Sequence, residues 1–452
     1  MKRGILAIVI LGTMLFCRGE CLQIVYPSNQ NVKISSPITA FIGNEPTKKL
    51  TINGKPVKIH HSGGFKHPVT LNYGENTFTI SNGTESKTYK ITRPYSNSAG
   101  KPSDLPQTTY QKPIIIITNK DNSPLRSTPV DAGLNRLQHL QKGIYLDAIG
   151  EYKNFYKVKL ARDDYAWISK SNADKSTLES IEPSNLLSLD FNITDKEEAY
   201  IFKTERKLPY VLSENGSGYD LVIYGLNDEV YPFGRYEFKI TKNTKSFGYY
   251  ANYNDDGDLV VKINKFKPQF KDLTITIDPG HGGGEKGTTG CLGDKEKDFN
   301  LKLALKLQSK LQEKGANIIM TRTNDKAVSL QDRVKIANDN NSQIFISIHA
   351  NALPDSLMNK DITGTEVYYF YPQAKELSQK ILSSVNEKTG NTNGKIKAES
   401  FAVVRNTNAV SVLIEAGYMI DPEENFKLIS EDYQNKLADG IVTGLERYLN
   451  DI

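Results

Sequence analysis

The stretch Ile344-Phe345-Ile346-Ser347-Ile348-His349-Ala350-Asn351 decides how the C-terminal part of this chain is read. It is a near-continuous apolar run, too short for an ordinary helix. A strand with no polar face is covered on both faces, as in the parallel sheets of α/β domains. It closes on a histidine, at the carboxyl end where such sheets gather their sites. Leu273–Ile277 reads as a second strand of this kind and runs into Ile277-Asp278-Pro279-Gly280-His281-Gly282-Gly283. Of the six histidines in the chain, only His281 and His349 lie beyond residue 270. Two imidazoles leaving strand ends can face one metal ion.

Outward from these strands the pattern alternates. Phe299, Leu303, Leu307 and Leu311 recur every four residues along one helix face, and Gly315 ends that helix. Ile318–Thr321 is another strand. Ser329 with Asp332 forms a capping box that opens the next helix. Val367–Tyr371 and Val412–Ile414 are further strands, and residues 373–389 and 432–449 are amphipathic helices. The expectation for residues 271–452 is an α/β domain with a mostly parallel sheet flanked by helices.

Hydrolytic zinc sites use three protein ligands and one water, and two histidines with a carboxylate suit them. Glu296, just ahead of the first helix, is the candidate third ligand to His281 and His349. An acid/base group is also needed. Glu415 ends the apolar strand Val412-Leu413-Ile414 and is followed by Ala416 and Gly417. A carboxylate there is costly unless it has a partner or a task.

Seven segments carry a resemblance to a known family. They are TIDPGHGG (276–283), EKDFNLKLALKL (296–307), SLQDRVKIAN (329–338), FISIHANA (345–352), GTEVYY (364–369), VVRNT (403–407) and VLIEAGYMID (412–421). In this order and spacing, the domain resembles the zinc N-acetylmuramoyl-L-alanine amidases of bacterial cell walls. The resemblance implies zinc ligands at His281, Glu296 and His349, a catalytic glutamate at Glu415, and peptidoglycan as substrate. Some members of that family insert an inhibitory helix between the segments matching HANA and GTEVYY. Here only Leu353 to Thr363 intervene, which implies an open site needing no activator. Cys291 lies between Gly287 and Asp294, where the family does not lead one to expect a thiol; a bystander is favoured over a competing zinc ligand.

The rest of the chain reads as export and β modules. Met1-Lys2-Arg3, an apolar run from Gly4 to Phe16 and polar Arg18-Gly19-Glu20 form a signal peptide over residues 1–21, the run being short for a membrane span. Phe16 before Cys17 and Glu20 before Cys21 are poor contexts for lipoprotein processing. An exported protein of the periplasm or cell envelope is expected, with no membrane span in the mature chain. Residues 22–95 read as a small all-β domain with turns at Asn53-Gly54 and Asn82-Gly83. Its LTINGKPV and GENTFTI segments resemble bacterial immunoglobulin-like modules. Residues 96–111, rich in Ser, Pro and Thr, are a linker. Residues 112–180 resemble the small Src-homology-type barrels of wall enzymes, with Trp167 as core or ligand platform. Residues 181–270 give further strands resembling the AMIN module of amidases.

Hydrophobic residues make up 38 % of the 452, enough for packed cores and against wholesale disorder. A net charge of +5 on this length is too weak for a nucleic-acid protein, and a monomer is expected. Gly282, Gly284 and Gly287 fit a dinucleotide fingerprint in spacing only, since no helix opens on them; they more simply let the backbone bend around His281. Arg333 and Arg405 are candidates for substrate carboxylates or for structural ion pairs. Two other functions stay open: a zinc peptidase acting within the stem peptide, and a wall-binding scaffold without catalysis.

Overall fold

The computed structural model describes residues 22–94, 108–131, 133–227, 234–241, 245–405 and 408–450. The expected signal peptide with Cys17 and Cys21, and linker residues 96–107, lie outside the described residues. Two compact units are present. One comprises residues 22–94 with 291–293 and 355–359, and the other the remainder.

In the first unit, the strands Gln23–Tyr26, Ile38–Asn44 and Gly64–Thr70 form one sheet, and a five-stranded sheet faces it. Phe41 and Phe65 of the first sheet meet Phe78, Tyr89 and Ile91 of the second in one buried cluster. The Phe41 ring stands 5.3 Å from both Phe78 and Tyr89, edge to face, the arrangement that ring quadrupoles favour. Asn53 and Gly54 both take positive φ, 50° and 76°, and join paired Ile52 and Lys55 as a two-residue hairpin. Asn82-Gly83 differs. Only Gly83 has positive φ, and four residues separate paired Ser81 and Ser86. The Asn82 side chain instead accepts from the Thr84 and Glu85 backbone N–H groups at 3.0 and 2.8 Å.

The second unit begins with a seven-stranded antiparallel sheet reaching from the strand Thr108–Thr118 to Ala173–Lys175. The expected linker therefore stops short of residue 108. Thr108 and Thr109 pair with Glu151 and Gly150, and Tyr110 donates to Glu151 at 2.6 Å. These residues join through backbone pairing and a side-chain bond, which no apolar period announces. Trp167 is buried in this sheet, 6 % exposed, and is no open platform. Two smaller antiparallel sheets follow within residues 186–265. They share one apolar cluster with the seven-stranded sheet, in which Ile116, Leu146 and Ile168 lie with Tyr210, Leu221 and Val261.

The C-terminal domain is centred on six strands in the order Asn317–Met320, Thr274–Pro279, Ile344–Asn351, Val410–Tyr418, Glu366–Tyr369, Lys395–Ala398. The sheet is mixed: four of its five strand pairings are parallel and one is antiparallel. Glu366–Tyr369 runs antiparallel to Val410–Tyr418, and Lys395–Ala398 follows its direction. The cause is the connection after Asn351. No α-helix lies between it and Glu366, so the chain reverses instead of crossing over to a parallel strand.

Five helices flank the sheet: α1 (Glu296–Glu313), α2 (Leu330–Asp339), α3 (Lys375–Thr389), α4 (Pro422–Leu428) and α5 (Glu431–Asn450). The strand Ile344–Asn351 shows how both faces are used. Ile344, Ile346 and Ile348 pack with Leu303 of α1, Ile381 of α3 and Leu445 of α5. Phe345, pointing the other way, packs with Ala337 of α2, Tyr368 and Val403. The side chains alternate faces, and both faces are covered.

Candidate metal centre

His281 sits on the loop that leaves the strand Thr274–Pro279, with φ at 59°, a conformation a non-glycine residue takes only when its surroundings enforce it. Two buried arginines do so. Arg333 of α2 donates to the carbonyls of Pro279 at 2.8 Å and His281 at 2.9 Å. Arg322 donates to those of Pro279 and Gly280, each at 2.9 Å. The charge of Arg333 is met by Asp278, at 2.5 Å. Asp278 in turn accepts from the Thr321 hydroxyl at 2.6 Å and the Ser347 hydroxyl at 2.8 Å. A buried ion pair with its remaining oxygens satisfied fixes a geometry even where it adds little net stability.

Glu296 is the first residue of α1. Its Oε2 accepts from the Thr288 backbone N–H at 2.8 Å. Its Oε1 lies 2.9 Å from Nδ1 of His349 and 3.2 Å from Nε2 of His281. The two imidazole rings are 5.0 Å apart and nearly perpendicular. Ligand atoms of the three residues all lie within 4.8 Å of one another. Two glycines make room. A Cβ on Gly280 would run into the His349 ring, and one on Gly287 into Glu296 and His281.

Glu415 lies beside His349 in the parallel register of neighbouring strands. Burial pushes its carboxyl up to about 7; His349 opposes the rise, and Glu296 and Glu366 add to it. Its Oε2 is buried without a hydrogen-bond partner. Burial also acts against the charged form of Glu296, but hydrogen bonds to His281 and His349 outweigh it and hold that carboxyl well below its ordinary range. For His349, burial is outweighed by Glu296 and Glu415, and its pKa rises. Glu296, Glu415 and Asp278 thus surround a centre whose imidazole is drawn towards its protonated form, and a cation there would take over the proton's role. Two nitrogen donors, a carboxylate oxygen and an orphaned carboxylate oxygen nearby fit a divalent ion of zinc's preference. His281, His349, Glu415, Arg333, Leu413 and Phe401 line a cavity of about 530 Å³ over this centre.

All four site residues singled out in the sequence meet here: His281, Glu296 and His349 converge, and Glu415 opens on the same cavity. Arg333 is engaged in holding the loop. Arg405 does not line this cavity. Cys291 is buried and outside the His281–Glu296–His349 group. Sequence reasoning missed Asp278, Arg322 and Glu366. Asp278 carries the same signal as Glu415, a carboxylate at the tip of an apolar strand. Arg322 carries no such signal, because its role is to bind carbonyls of a distant loop.

Residues 275–447 match the family model described as N-acetylmuramoyl-L-alanine amidase. The chain is 32 % identical over 220 residues to a probable cell wall amidase LytH of Staphylococcus saprophyticus subsp. saprophyticus, a match covering 48 % of this chain and 72 % of that protein. It is 35 % identical over 205 residues to a probable cell wall amidase LytH of Staphylococcus epidermidis, covering 45 % and 66 % of the respective chains. Among solved structures, an N-acetylmuramoyl-L-alanine amidase from Clostridium difficile 630 is 37 % identical, with 40 % of this chain and 97 % of that one covered and a TM-score of 0.38.

Proposed function

Because the chain belongs to the N-acetylmuramoyl-L-alanine amidase family of hydrolases, we propose that its domain of residues 271–452 cuts the amide between the lactyl group of N-acetylmuramic acid and L-alanine in peptidoglycan, with zinc held by His281, Glu296 and His349 and with Glu415 as the acid/base. Zinc bound there would polarise the scissile carbonyl and lower the pKa of a coordinated water to around 7. The chain's own residues do the rest. Glu296 Oε1, His349 Nδ1 at 2.9 Å from it and His281 Nε2 at 3.2 Å from it would be the atoms that hold the ion. Glu415 takes a proton from the attacking water at Oε2 and delivers it to the nitrogen of the departing L-alanine. A carboxyl near neutrality can do both, whereas an exposed one would be too weak a base.

The observation that carries this reading is Glu415, which lines the cavity over the His281–Glu296–His349 group and has its Oε2 buried and unpartnered. Such an atom is costly in a merely structural site. The segment between Asn351 and Glu366 holds no α-helix, which supports activity without a partner that displaces a plug. No helix among the described residues is long and apolar enough to cross a membrane. The charged and apolar segment Met1 to Phe16 supports export to the periplasm or cell envelope, where the β modules would raise the local concentration of the enzyme on the wall.

Incubation of the protein with intact peptidoglycan, followed by mass spectrometry, tests the reading. Stem peptides beginning at L-alanine are expected, and they disappear with a chelator and in Glu415→Gln. Cleaved stems still joined to muramic acid would replace the amidase with a peptidase, and absence of any product with zinc present would leave a wall-binding scaffold.

A further inference from the structure

A second cavity, of about 570 Å³, lies between the seven-stranded sheet and the C-terminal domain. Arg136 and His139 line it from the sheet, and Arg405 and Lys335 from the domain. It shares Leu330 and Ala402 with the cavity over the metal centre, so the two are contiguous.

Its charges are unbalanced. Arg136 stands directly opposite Arg126 on the neighbouring antiparallel strand, and like charges in that position destabilise a sheet. Arg126 is neutralised, since it pairs with Asp131 and donates to Asn135 at 3.1 Å. Arg136 has no carboxylate partner among the described residues, and its Nε is buried without an acceptor. Arg405 donates to the carbonyl and hydroxyl of Ser400 and has no carboxylate partner either. Its pKa is lowered to about 10, by burial first and then by the charge of Arg136. His139 is driven to about 3 by burial and then by Arg405, Arg136 and Arg126, so it faces the cavity as a neutral group. The acidic residues of the lining are already engaged: Asp332 accepts from the Ser329 hydroxyl at 2.7 Å, and Asp339 pairs with Lys335 at 2.6 Å. Two guanidiniums that repel each other, one with a buried N–H unused, leave a place for an anion between them.

We propose that Arg136 and Arg405 form a carboxylate-binding subsite, in which the seven-stranded sheet supplies one wall of the substrate cleft and grips a carboxylate of the stem peptide beyond L-alanine. The choice of peptide rests on the amidase reading and on the continuity with the metal-centre cavity. A phosphate of an anionic wall polymer has related chemistry and is the competing occupant.

Binding, not turnover, tests this. A synthetic stem tetrapeptide and its fully amidated counterpart are titrated calorimetrically into the full-length, zinc-free protein, with inorganic phosphate and a glycerol-phosphate oligomer as competitors. The free-acid peptide is expected to bind about tenfold more tightly than the amidated one, the worth of a charge-assisted hydrogen bond. Arg136→Gln and Arg405→Gln each abolish that preference, and Arg136→Lys keeps part of it. Equal binding of the two peptides by the unmodified protein overturns the proposal without need of any variant. So does a preference that survives in both glutamine variants, and so does tighter binding of the glycerol-phosphate oligomer than of the acid peptide. The two readings fail separately: a preserved preference in a protein that cuts no amide removes the amidase and leaves the subsite, while amide cleavage with no preference does the reverse.

Discussion

At the scale of single residues, the site depends on groups placed where they are uncomfortable. Glu415 is buried with an unused oxygen, His281 holds a strained backbone angle, and Gly280 exists so that His349 can stand where it does. Glu415→Gln keeps the shape and removes the proton carrier. Activity is expected to fall by roughly 10²–10⁴-fold, the usual worth of general acid–base catalysis, with zinc content unchanged by metal analysis; lost zinc would make Glu415 a ligand instead. The same residue makes the metal-free protein sensitive to pH. Its carboxyl is raised from 4.5 to about 7 in the folded state, so the folded state binds more protons than the unfolded one between those values. The associated stability is complete below about pH 4.5 and is lost as pH rises through about 7. In chelated protein, the Tm of Glu415→Gln should therefore gain on that of the wild type across this window, and parallel Tm curves would show that Glu415 is not so perturbed. Zinc bound at the proposed site would expel protons from His349, whose pKa is also raised. Its affinity should increase with pH through neutrality when measured against a competing chelator.

At the scale of elements, most of the C-terminal domain was legible because its strands and helices announce themselves by period. The run Ile344–Ile348 reads as a strand covered on both faces, and it is one, its isoleucines on one cluster and Phe345 on another. Phe299, Leu303, Leu307 and Leu311 mark the buried face of α1. What escaped depends on chain direction and on backbone partners. The antiparallel course of Glu366–Tyr369 follows from the connection before it, and the alternation of Lys395–Ala398 spans only four residues, too few to stand out. The residues Glu197–Thr204 open on two glutamates and still form a central strand, because ladder hydrogen bonds override weak propensity. The candidate site was legible for another reason: His281, His349 and Glu415 stand near or just beyond strand ends, where a polar group needs an explanation, whereas Glu296 opens a helix. The cap of α2 bears on the site through its load. The Ser329 hydroxyl accepts from the Asp332 backbone N–H at 3.1 Å, and α2 delivers Arg333 to the His281 loop. Ser329→Ala should cost about 1 kcal/mol of stability in thermal unfolding and speed amide exchange in the first turn of α2. Unchanged exchange there would mean that the helix is held by packing alone.

At the scale of the whole molecule, the larger unit joins β modules and catalytic-type domain through aromatic packing rather than through a bare tether. Phe247, fully buried on the strand Ser246–Tyr253, belongs to the apolar cluster of the C-terminal domain. Its ring stacks on Phe266 at 4.4 Å and approaches Tyr448 of α5 at 6.2 Å. Lys245 lies over the Tyr448 ring at 4.3 Å and donates to Glu376 of α3 at 2.8 Å. Asn264 reaches the Asn408 carbonyl at 3.0 Å. Modules that share a core unfold together, whereas modules on a flexible linker unfold as independent steps. The larger unit is therefore expected to melt in one calorimetric transition. Phe247→Ala removes the ring that a strand of the β modules lends to the core of the C-terminal domain, at a cost of about 3–5 kcal/mol. Because that loss falls on the joint and not on either sheet, the single transition should divide into two, the catalytic-type domain and the β modules each melting on its own. The arrangement also sets the cleft, since Arg136 meets Arg405 only while the joint holds. The variant should thus lose its preference for the acid stem peptide over the amidated one while His281, Glu296 and His349 stay in place. One unshifted transition with the preference retained would show that the packing around Tyr448 contributes nothing to the position of the sheet.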